Sequence, residues 1–178
     1  LFGRTLYMPS LLASPAAPGR VYLATDSRLT GSRDLLDELR VAAAADVLPD
    51  DLLQMVTSWA ASVLKLDDAG RIAVGAPADF VVIPPKRASA AASLLQCARA
   101  DLSLVVRRGT PVFGEATMAA AFDARCVHVR DLEVDGERRL AQAGLVRRIE
   151  RCTIHEPGIV PVPRVRSQRG WIGRPVSS

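Results

Sequence analysis

The apolar positions of the first third of the chain change period twice. Residues 9 to 19 hold three prolines among small residues and predict a loop, with a short helical turn around Leu11 to Ala13. In Arg20 to Ala24, the consecutive Val21, Tyr22 and Leu23 favour a pleated, buried surface and predict a strand. Thr25 to Gly31 form the next loop. Ser32 then predicts the cap of a helix whose Leu35, Leu36, Leu39 and Ala43 fall on one face. Pro49 suits the first turn of a second helix, and Asp50 and Asp51 complement its positive end. Leu52, Met55, Val56, Trp59, Ala60, Val63 and Leu64 keep the helical period up to Lys65, so Trp59 reads as core.

After Gly70 the texture shortens. "RIAVG", "DFVVI" and "LSLVVRRGTPVFG" are β-branched runs broken by Gly and Pro, which predict strands of a small β layer over about 71 to 114. Gly109 can supply the positive φ that turns Val105 and Val106 back toward Val112. The Ala-rich stretch from Ala88 to Ala98 predicts a helix. "CVHVRDLEVDGERRL" predicts a strand pair turning at Asp135-Gly136, followed by a basic amphipathic helix through Ile149. The last fifteen or so residues carry no periodicity and predict a mobile tail. No internal repeat is visible.

Composition narrows the class. With 178 residues, the chain has room for one moderate domain or two incomplete pieces of a larger protein. It is 49% apolar and 24% charged, which is globular rather than disordered. No apolar stretch is long enough to cross a bilayer, and the first residues build no signal peptide. Three unevenly spaced cysteines suggest no disulfide framework and point to a reducing, cytoplasmic setting. The net charge of +4 is unevenly placed: from Arg125 onward there are eleven Arg against six acidic residues, so the basic character belongs to the C-terminal third. The chain opens abruptly on Leu1, which raises the expectation of a fragment.

Four of these segments carry a resemblance. "VYLATDS" followed by "LTGSRDLLDELR" resembles the last barrel strand and following helix of metal-dependent amidohydrolases, in the branch of cytosine, guanine and adenosine-type deaminases and triazine chlorohydrolases. "DLLQMVTSWAASVLKL", "GRIAVGAPADFVVI" and "LVVRRGTPVFG" are similar to the segments that follow in that family, in the same order, over roughly residues 20 to 114. The resemblance implies an α/β chain: the terminal strand and helices of an incomplete (β/α)8 TIM barrel, plus part of a small β-sandwich domain. The corresponding boundaries are a barrel end over 1 to 66, a β-sandwich-like domain with a C-terminal helix over 67 to 160, and a flexible basic tail over 161 to 178. It implies hydrolysis of a C–N bond in a small-molecule substrate, such as deamination of an amino heterocycle.

It also gives Asp26 a role. In such barrels the active groups sit at the C-terminal ends of strands. There a carboxylate touches a divalent metal, zinc or iron, and takes the proton of the attacking water. Ser27 would orient the loop or a carboxylate oxygen, while Arg28 and Leu29 are too few to define a pocket. The sequence departs from the family in one large respect: it has only His128 and His155 and no His-x-His pair, and a single carboxylate is not a metal site. The chain alone is therefore expected to hold no metal and turn over no substrate. A lone strand and two uncovered helix faces predict aggregation when it is expressed by itself.

Other constellations are weaker. Cys126, His128, Cys152 and His155 are ligand types for zinc, but their spacing is not that of a zinc knuckle, and strand and core positions explain them better. Asp79 reads as a turn residue orienting the strand after it, and Asp67-Asp68 as an exposed loop. Arg164, Arg166, Arg169 and Arg174 around Trp171 form a weak footprint for nucleic acid or another acidic partner, and a solvated tail is the simpler reading. A homo-oligomer is allowed, and a membrane partner is not expected.

Overall fold

The computed structural model describes residues 19–25 and 31–163. Three short helices form its first layer: α1 (Leu35–Ala43), α2 (Pro49–Met55) and α3 (Ser58–Val63). Asp34, not Ser32, caps α1. Its carboxylate accepts the Asp37 amide at 3.0 Å, while the Ser32 amide donates to Glu38 Oε1 at 2.6 Å, so the chain enters the helix two residues later than predicted. The expected continuous helix from Pro49 to Lys65 is broken. Thr57 leaves helical geometry at φ −128°, and its hydroxyl donates to the Leu53 carbonyl at 2.6 Å, one turn back. Gly70, at φ +75°, lies directly over this break. A Cβ there would come within 2.7 Å of the Thr57 carbonyl and 2.8 Å of Ala61 Cβ.

Leu39, Leu52 and Met55 are fully buried at the centre of the helical layer, and Trp59 packs against them as expected. Val21 and Leu23 also face this cluster while Tyr22 and Ala24 point out, the alternation of a strand. Yet Val21 to Thr25 belong to no sheet among the described residues, and the Leu23 amide instead donates to the Met55 carbonyl at 3.2 Å. The expected barrel strand is thus an unladdered segment lying on the helices.

The second layer is one six-stranded antiparallel sheet in the order β1-β2-β3-β5-β4-β6, and no second sheet faces it among the described residues. Its strands are β1 (Phe80–Val82), β2 (Leu104–Arg107), β3 (Thr110–Gly114), β4 (Val129–Val134), β5 (Glu137–Gln142) and β6 (Ile159–Pro161). A small two-layer sandwich is therefore not what these residues build, and the β layer expected over 71 to 114 runs on to Pro161. "RIAVG" is a turn rather than a strand, and leaves Ile72 and Val74 almost fully exposed. Both predicted hairpins are present, with positive φ at Arg108-Gly109 and at Asp135-Gly136. The Ala-rich helix is α4 (Ala90–Leu95), capped by Ser89, and the basic helix is α6 (Ala143–Arg151). A further short helix, α5 (Ala119–Asp123), was not expected; its Phe122 is buried against Leu104 and Val106.

The two sheet edges differ. β6 ends in Pro161, whereas β1 presents a half-exposed Val81 beside a partly exposed Phe80. α4 packs on the helical layer, placing Leu94 and Leu95 against its cluster, and Arg40 donates to the Cys97 carbonyl at 2.7 Å. Arg99 locks the far end of the sheet. Its guanidinium grips Asp135 with bonds of 2.8 and 2.7 Å, and reaches Glu156 at 2.8 Å and the Pro157 carbonyl at 2.5 Å.

Candidate functional site

The described residues that flank the predicted catalytic loop are tied down on both sides. At its entry, Leu23 is tied to the end of α2 by the bond from its amide. At its exit, Ser32 and Asp34 fasten the chain to the first turn of α1. The described residues on both sides of the loop thus belong to one packed helical layer, the kind of scaffold on which functional loops are carried. Asp26, Ser27, Arg28 and Leu29, on the loop itself, lie outside the described residues.

The Gly-x(4)-Gly-x-x-Ala-Asp segment has a structural explanation. Gly70 and Gly75 both take positive φ, and only Gly70 meets close neighbours. Ala78 and Asp79 together pin the turn between β2 and β3. The Ala78 carbonyl accepts the Gly109 amide at 2.9 Å, and the Asp79 carboxylate accepts the Arg108 amide. Asp79 is therefore a positioning group, as expected, though it orients a hairpin 29 residues away more than the strand that follows it. Asp67 and Asp68 are exposed, with Asp67 at the rim of a hollow of about 190 Å³ that also touches Ser58, Ser62 and Arg71.

No group of three or more His, Cys, Asp or Glu side chains that could hold a metal ion occurs among the described residues. Cys126 and His128 with Cys152 and His155 build no such group. The residues described here do not by themselves fit a metal centre. Arg164, Arg166, Arg169, Trp171 and Arg174 lie outside the described residues. No helix of the described residues is long and apolar enough to cross a membrane.

Sequence reasoning missed two features. A hollow of about 530 Å³ opens where β4 begins and β5 runs into α6, with Cys126, His128, Gln142 and Arg147 in its walls. Its walls come from two segments that only the sheet register brings together, with Val129 opposite Gln142. The Arg99 hub was equally hidden, since its partners lie 36 and 57 residues away.

No curated protein and no solved structure matches the chain. A family model does: that of the amidohydrolase family matches residues 16–112, more than half of the chain. The match covers the anchored loop, the helical layer, the glycine segment and the first hairpin, up to Val112, and the chain belongs to the amidohydrolase family.

Proposed function

We propose that this chain is the C-terminal part of a hydrolase that cleaves a C–N bond of a small molecule, in the branch that includes amino-heterocycle deaminases and triazine chlorohydrolases. The observation that carries this reading is the ordered set of four motifs between residues 20 and 114, coincident with the family match over 16–112. The division into a barrel end over 1 to 66, a small β domain over 67 to 160 and a basic tail over 161 to 178 belongs to the same reading, as does a cytoplasmic location. Amidohydrolases are generally metal-dependent. Asp26 is the residue of this sequence assigned to a divalent metal, zinc or iron, and the histidine ligands come from outside this sequence. By itself the chain turns over nothing.

Within that reading, Asp26 accepts the proton of the attacking water and returns it to the leaving nitrogen, while Ser27 steadies the loop or a carboxylate oxygen. The test is Asp26→Asn in the protein that carries the complete ligand set. The amide keeps the size of the side chain but loses the basic oxygen. The expected result is a fall in kcat of about 10²- to 10⁴-fold with KM little changed, and a milder effect of Ser27→Ala. Retention of more than about a tenth of the parent kcat with metal bound would return Asp26 to the rank of a turn residue.

A further inference from the structure

The cavity at the β5–α6 junction is chemically one-sided. Cys126, His128, Gln142, Gly144 and Arg147 line it, and no carboxylate does. Arg147 is an exposed residue of its wall, and its Nη2 lies 3.9 Å from where a Gly144 side chain would begin, so the guanidinium folds back along the helix. None of the ion pairs or side-chain hydrogen bonds found among the described residues engages Arg147, whereas Arg130, Arg138 and Arg139 all have carboxylate partners. The first turn of α6 carries no acidic residue and no side-chain cap. The Ala143 amide is taken by the His128 carbonyl at 2.8 Å, which draws the start of β4 against the start of the helix.

We propose that this cavity binds a small molecule through a phosphate group. Donor-bearing side chains stand on different walls: the Arg147 guanidinium on the helix, the His128 imidazole before β4 and the Gln142 amide at the end of β5. A planar carboxylate is satisfied by one bidentate partner, whereas a tetrahedral oxyanion takes donors from several directions. The hollow is open to solvent, and its volume of about 530 Å³ leaves room for more than the phosphate itself. The proposal does not depend on the hydrolase reading.

Titration calorimetry of the full chain with pyrophosphate, phenyl phosphate and acetate at matched ionic strength tests this. Saturable binding of both phosphates, tighter than that of acetate, is expected. Arg147→Gln should weaken it about tenfold, the loss of one charge-assisted contact, while Arg148→Gln, next to it on the helix, changes it less than about twofold. Equal losses from the two substitutions would reveal a diffuse basic field and overturn the proposal. So would acetate binding as tightly as phosphate, or no saturable binding. Tighter binding of a short RNA, with equal dependence on Arg147, Arg148 and Arg151, would also overturn it in favour of a polyanion surface. Arg147 is exposed, so its replacement leaves the core intact.

Discussion

Single residues in this chain differ widely in what they hold. Arg99 is only 12% exposed along its side chain, with four hydrogen bonds to three residues, whereas Lys86 and Asp101 pair at 2.6 Å with a third of each side chain in water. Arg99→Met should therefore cost about 2 to 3 kcal/mol in urea unfolding, and Lys86→Met under about 1 kcal/mol. The Arg99 guanidinium also holds the Asp135 carboxyl below its ordinary value. A carboxyl depressed in the folded state contributes stability that is complete above the unfolded value near 4, and is lost as pH falls through the lower, folded value. Unfolding measured from pH 6 down to pH 2 should show that loss below about pH 4, and Asp135→Asn should shrink it. Asp101, held down by Lys86, and Asp131, held down by Arg138, act in the same direction. None of this was legible in the sequence, because residues 36 and 57 positions apart carry no local signature of their meeting.

At the level of elements, local chemistry was a good guide and range set its limit. The two hairpins were readable because Gly109 and Gly136 supply a backbone conformation other residues resist. The helical faces around Leu39, Leu52 and Met55 were readable from their period. The break between α2 and α3 was not, because apolar spacing continues across Val56 and Thr57 while the Thr57 side chain turns back on its own helix. β6 was missed because three residues ending in proline carry little strand signal, and its pairing with β4 is decided 25 to 29 residues upstream, at Val134 and Leu132. The anchored loop was predicted as an approach to chemistry, and its anchors are described while its tip is not. Two substitutions probe these joints. Gly70→Ala meets both a strained φ and the Thr57 carbonyl, and should lower stability by about 2 kcal/mol or more. Asp79→Ala removes the carboxylate that accepts the Arg108 amide, and should cost about 1 kcal/mol, read as faster hydrogen exchange confined to the turn between β2 and β3.

Considered whole, the molecule leaves apolar surface in water at one side. Ile72, Val74 and Val81 are 89%, 108% and 53% exposed, a group of large β-branched side chains along and before the outer strand β1. The free backbone groups of such a strand recruit another strand. The full chain should therefore self-associate, as the uncovered strand and helices of the sequence also foretold, and Val81→Lys should shift sedimentation toward the monomer. The opposite edge behaves differently. Pro161 contributes no amide hydrogen, so β6 is a poor template for a further strand. A particle that is adhesive at one rim and inert at the other cannot propagate. Two copies that meet through β1 use up the only receptive rim that the described residues of each give this sheet, leaving Pro161 at both outer ends of the joined sheet. Growth by this route should stop at pairs rather than run on into fibrils, and exchanging Pro161 for Val would remove the terminator.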